Sequence, residues 1–237
     1  MSKAEPLPRR SGDGLWSAFR VAAVDFYYQS IRLVPANVVW GAALVAILAV
    51  GIGAGPIATL LVFPFLAVPF VGIVRLAAQV ARGEDAVLSD VWGAYRRFGL
   101  IALGIGLLVV FGAALLASNI VVGAAMGGIG GWAFATLAAA GLIALWVIAF
   151  PVWVLLVDPE RADQPIRKRL RLAVLLVLAA PGRTAFLALL LAIVLAISTV
   201  AFAALLTISV AYVSLVAARY LLPLADRLDV WLEQRPG

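Results

Sequence analysis

Residues 33–74 form an uncharged run of forty-two residues that breaks once, at Gly51-Ile52-Gly53-Ala54-Gly55-Pro56. About twenty apolar residues span a bilayer as an α-helix, so the run is long enough for two passes with a glycine-proline turn between them. In hydrocarbon each backbone N–H and C=O must find its partner inside the chain, which favours helix for such a segment. The run therefore reads as a transmembrane hairpin.

The rest of the chain repeats that pattern. Hydrophobic residues make up 65% of the 237 and charged ones 13%, about half the ~25% of a soluble domain. A water-soluble fold of this length could not cover so much apolar surface. We expect an all-α polytopic membrane protein with six spans, near 37–54, 57–75, 100–117, 132–157, 184–200 and 204–222, in one membrane domain over 15–230. The polar segment 1–14 reads as a disordered cytoplasmic tail, and 231–237 as a short C-terminal tail.

Between the spans lie stretches too polar or too short to cross. From Leu15 the apolar positions Phe19, Ala22, Phe26 and Ile31 recur every three to four residues, which predicts an amphipathic helix in the interface plane ending before Pro35. A second amphipathic stretch carries Leu88, Val91, Trp92, Tyr95 and Phe98. Residues 172–180 are interrupted at Pro181-Gly182 and are assigned to the interface. Segment 118–131 is either an external loop or a helical extension of span 3, and Gly123, Gly127 and Gly131 would permit close helix packing. Trp132 and Trp153 read as aromatic anchors at the two ends of span 4. The turn between spans 5 and 6 falls somewhere in 197–207, with no glycine or proline to mark it.

Charge tests the topology independently. With six spans and both termini inside, the three external segments contain no charged residue, and all eighteen lysines and arginines fall on cytoplasmic segments or the span ends that face them. This is the positive-inside pattern. It also explains the net charge of +6 without nucleic acid as a partner.

No cysteine or histidine is present, which removes Cys/His metal sites, histidine-ligated haem and Ser-His or Cys-His nucleophiles. No cofactor and no enzymatic activity are expected. No acid or base sits mid-span, against proton-coupled transport. Folding the first hairpin about Gly55 gathers Asn37, Trp40, Arg75, Arg82 and Glu84 at one inner corner, a candidate docking or ligand site whose plainer reading is a network holding span 1 to span 2. Pro64 and Pro69 free the carbonyls of Leu60 and Phe65, so with Thr59 they mark a candidate small polar cavity in span 2. Arg167, Lys168, Arg169 and Arg171 are placed at anionic lipid headgroups, worth about 1 kcal/mol per charge near the surface.

The first hairpin also resembles the bacterial YesL family. The pattern is Asn37-Val38-Val39-Trp40, Gly55-Pro56 with Thr59 three residues on, Arg75, and Gly83-Glu84 leading to an aromatic helix at Trp92. It covers about residues 25–98; the second half is similar in layout only, with Phe150-Pro151 late in span 4, a basic interfacial helix and a final hairpin. The resemblance implies an integral protein of the bacterial plasma membrane with no established activity, accessory to carbohydrate uptake, with a sugar permease as partner. It supplies no catalytic residues. The alternative from the residues themselves is a small-solute or lipid transporter built on the kinked second span, and oligomeric state is left open.

Overall fold

Long uncharged segments have only their own backbone to bond with, and they become helix. The computed structural model describes residues 14–234, and the regular elements among them are all helical. The expected tail at 1–14 lies outside the described residues except for Gly14, as do residues 235–237. Among the described residues nine α-helices follow in order: α1 (Leu15–Tyr28), α2 (Ser30–Val62), α3 (Ala67–Arg82), α4 (Leu88–Met126), α5 (Gly128–Val157), α6 (Ile166–Ala179), α7 (Pro181–Val200), the single turn α8 (Phe202–Ala204) and α9 (Val210–Glu233). Short 3₁₀ turns fill Phe63–Leu66 and Pro159–Arg161, and a π-helical turn fills Leu205–Ser209.

Five stretches among the described residues are long and apolar enough to cross a membrane: Ser30–Arg82, Leu88–Met126, Gly128–Val157, Pro181–Val200 and Phe202–Glu233. The first contains both expected spans 1 and 2. It is not straight, because Gly55 adopts φ 86° and ψ 177°, a backbone region that only glycine enters freely. A Cβ on Gly51 would lie 2.5 Å from Thr59 Oγ1, so the two arms run side by side. The helix α1 that leads into the stretch and the stretch's far end also meet one side chain: Arg219 donates to the Asp25 carboxylate of α1 at 2.7 Å and to the carbonyls of Val80 and Ala81, each at 3.1 Å. They therefore share one end of the bundle.

Several boundaries differ from the sequence reading. The first amphipathic helix stops at Gln29, not before Pro35. Ser30 Oγ donates to the Tyr27 carbonyl and Arg32 to the Gln29 side chain there, so local side-chain bonds make the break while Pro35 is carried inside α2. Segment 118–126 is a helical extension of α4, and Gly123 faces Gly131 across the α4–α5 turn. A Cβ on either glycine would lie 2.8 Å or less from the backbone of the other helix, so the small residues do allow the approach. The turn between spans 5 and 6 falls at Ala201, φ −94° and ψ 69°. Trp153 is buried and is no membrane-facing anchor, whereas Trp132 is exposed.

The tightest core is the inner part of α3, the last turn of α5 and the middle of α9, where Leu76, Leu155, Leu156, Leu215 and Leu221 are fully buried. α1 packs Phe19 and Phe26 edge-on against Tyr212 of α9, with centroids 6.3 and 6.1 Å away. Trp16, Tyr27 and Tyr28 of the same helix are exposed, the amphipathic split of an interfacial helix.

Candidate functional site

Beside the kink in the second arm of the hairpin lies a cleft of about 990 Å³, walled by α2, the 3₁₀ turn, α3, α4, α5, α7, the π-helical turn and α9. Pro64 removes the donor that would continue α2, and the chain tightens into the 3₁₀ turn before α3 resumes. Gly106 of α4 lets that turn come close, since a Cβ there would lie 2.9 Å from the Pro64 carbonyl. Along α5 the lining runs from Leu142 to Trp153, about 16 Å at ~1.5 Å per residue. That is close to one leaflet of a ~30 Å hydrocarbon core.

The walls are apolar. No charged side chain contributes to the lining. Its one hydroxyl, on Thr199, donates to the Ala196 carbonyl of its own helix, and the Trp146 indole donates to the Ala188 carbonyl at 3.0 Å. Trp40, Phe63, Phe70, Phe150 and Trp153 add aromatic surface to the lining. The expectation of a small polar cavity is thus corrected: Pro64 is in the wall, but the space is large and greasy. In the 3₁₀ turn the Ala67 amide donates to the carbonyls of Phe65 and Pro64. Pro69 and Thr59 do not line it; Thr59 Oγ1 donates to the Gly55 carbonyl at 3.2 Å, at the hairpin turn.

Below the cleft, where α5 ends, the charged residues converge. Arg82 forms a two-pronged contact with Asp158 at 3.0 and 2.7 Å and another with Asp226 at 2.7 and 2.9 Å. Arg161 bonds Asp158, reaches Asp226 at 2.8 Å and Asp229 at 2.9 Å. Asp158 is fully buried. Burial alone would weaken the Arg161 charge, but the hydrogen bonds it donates to Asp226, Asp158 and Asp229 outweigh it and its pKa is raised. The network ties α3, the turn after α5 and α9 together. Glu160 joins it through Arg82 at 2.9 Å. Its aspartates, Asp158, Asp226 and Asp229, were not singled out from sequence, although Asp158 directly ends a long uncharged span and Asp226 and Asp229 share a helix face.

Protein-family models, curated proteins and solved structures yield no match to this chain. The functional reading therefore rests on the site.

The five corner residues do not form one site. Asn37 is buried against the far wall, where its Nδ2 donates to the Leu205 carbonyl at 3.0 Å and its Oδ1 accepts the Ala211 amide at 2.7 Å. It thereby bridges the π-helical turn, with Gly41 one turn on packed against the Leu206 carbonyl. Trp40 lines the cleft, Arg75 donates to the Val157 carbonyl at 2.7 Å, Arg82 sits in the ion network and Glu84 is exposed. Among the residues placed at headgroups, Arg167, Lys168 and Arg171 are exposed on α6, but Arg169 is 2% exposed and turned inward. It shares a helix face with Leu172, Ala173 and Leu176, which buries it with them.

Proposed function

We propose that this chain is a six-pass, non-enzymatic protein of the bacterial plasma membrane, with both termini cytoplasmic, that takes the acyl chain of a membrane lipid into the cleft and carries or presents it. The fold-back at Gly55 supports counting Ser30–Arg82 as two passes. The uncharged outer turns and the gathering of arginines at one end support the orientation.

The observation that carries the lipid reading is the size and polarity of the cleft. The cleft, of about 990 Å³, opens between the helices, with Leu48, Ile143 and Leu189 of its lining exposed, and its apolar walls are better covered by hydrocarbon than by water. Water is a poor filler, because a buried water needs two to four polar partners and the walls offer almost none. Lipid chains are the solvent at hand, and the length of the cleft suits one leaflet's depth. A small polar solute has nothing to bind. The test is the lipid retained on the purified chain in detergent: about one lipid per chain is expected, lost when Ala113→Phe and Ala192→Phe fill the cleft. A chain that retains none, or retains as much in the filled variant, contradicts the reading.

The accessory role in carbohydrate uptake implied by the YesL resemblance would use the inner face instead, where Glu84 is exposed beside the ion network. Co-purification with sugar permease subunits, weakened by Glu84→Ala, is its expected signature; purification without any permease across several growth sugars opposes it.

A further inference from the structure

We propose that Arg75, Arg97 and Arg169 form a binding site for a phosphate group at the charged end of the bundle. The three come from α3, α4 and α6 and converge on the end of α5. Arg75 donates to the Val157 carbonyl at 2.7 Å, and Arg169 to Leu156 at 2.5 Å and to Ala162 at 2.6 Å. Arg97 donates to the same Ala162 oxygen at 2.7 Å, which sets its guanidinium beside that of Arg169. The Phe98 ring lies against both, 5.4 Å from Arg97 Cζ and 5.9 Å from Arg169 Cζ.

This cluster differs from the other buried or half-buried arginines at the same end of the bundle. Arg82, Arg161 and Arg219 are paired with carboxylates, whereas among the described residues none of Arg75, Arg97 and Arg169 has one within 4.0 Å. Of the nearby acids, two are engaged elsewhere and two face solvent. Asp158 is held by Arg82 and Arg161, and Asp90 by Gln79 and the Val87 amide; Glu84 and Asp163 are exposed.

A helix C-terminus attracts cations, and that accounts for Arg169, whose third donor goes to the Gln164 carbonyl. It does not account for three. A guanidinium carries five N–H groups, and Arg75 and Arg97 each spend one on the protein. Burial first, then the Arg97 charge, lowers the Arg169 pKa; a bound anion would relieve that repulsion. Planar forks with spare parallel donors suit the tetrahedral oxygens of a phosphate. The exposed Arg167, Lys168 and Arg171 on α6 would draw such an anion toward the same end.

The phosphate could be a lipid headgroup or a soluble phosphorylated compound, and one experiment separates them. The full chain is placed in nanodiscs of equimolar phosphatidylglycerol and phosphatidylcholine for lipid counting by mass spectrometry, and in maltoside micelles for calorimetric titration with inorganic phosphate. Enrichment of phosphatidylglycerol that falls about tenfold in Arg97→Gln supports a headgroup site. Saturable phosphate binding in micelles with the same loss supports a soluble ligand. Arg97 is exposed, so this variant keeps the fold even where Arg75→Gln does not, and it decides the matter. Absence of both effects, or an equal effect of Arg20→Gln on α1, overturns the proposal.

Discussion

The indole of Trp153 meets the Phe70 ring edge-on, with centroids 5.2 Å apart and planes at 90°. The pair closes the cleft one helical turn short of the bond from Arg75 to the Val157 carbonyl, and so separates an apolar chamber from a charged platform. Trp153→Ala should cost about 3 kcal/mol or more through the cavity left behind. It should also admit water to the end of α5, seen as faster hydrogen exchange at Val154, Leu155 and Leu156. Unchanged exchange there would mean that the rings do not act as the floor.

Asn37 holds the irregular start of the last helix. Its carboxamide satisfies a carbonyl and an amide of the π-turn region, and no shape-matched apolar side chain can do both. Asn37→Leu should destabilise the chain by about 1–3 kcal/mol, measured as a lower melting temperature in nanodiscs. Gly41→Ala should act at the same junction, since its Cβ would lie 2.6 Å from the Leu206 carbonyl oxygen. The paired substitution should then cost less than the sum of the two.

Asp158 is the hub of the ion network, fully buried and shared by Arg82 and Arg161. Removing one partner of a buried pair leaves uncompensated charge and costs about 3–5 kcal/mol. Asp158→Ala should approach that loss, while Asp158→Asn, which keeps acceptor and shape, should lose less. Asp226 and Asp229 remain for the two arginines and set the lower end of the range. Denaturant titration of the two variants in parallel gives the comparison, and equal loss in both would argue that charge is irrelevant at this position.

The chain lacks cysteine, so single introduced thiols report topology without background. Gly53→Cys and Gly130→Cys, both at sites where a Cβ meets nothing within 4 Å, should label from outside intact cells. Lys168→Cys should label only after permeabilisation. External labelling of Lys168→Cys would reverse the orientation.

Length and charge carried most of the architecture to the surface of the sequence. An uncharged run has few folds open to it in a bilayer, and Gly55-Pro56 marks its turn with the two residue types that a helix tolerates least. The break at Gln29 carries no such mark, because ordinary side chains make it by bonding their own backbone. The ion network was hidden for another reason: Arg82 meets acids 76 and 144 residues away, and charge alone does not say which acid pairs with which arginine. Arg169 was legible in part. It stands in a basic tract, but its spacing to Leu172 and Leu176 puts it on the buried face of α6. The polarity of the cleft was misjudged because a proline kink predicts a freed carbonyl, whereas the side chains around it decide what fills the space.

The measurement that bears most directly on the lipid reading is photo-crosslinking with a phospholipid that carries a diazirine at the end of one acyl chain, followed by peptide mapping of the adducts. Adducts on Phe63, Phe70, Trp146 and Phe150, lost in the Ala113→Phe, Ala192→Phe variant, are the predicted result. Adducts confined to outward-facing positions such as Leu108, Leu115 and Leu137, which are exposed on α4 and α5, would show that no chain enters the cleft.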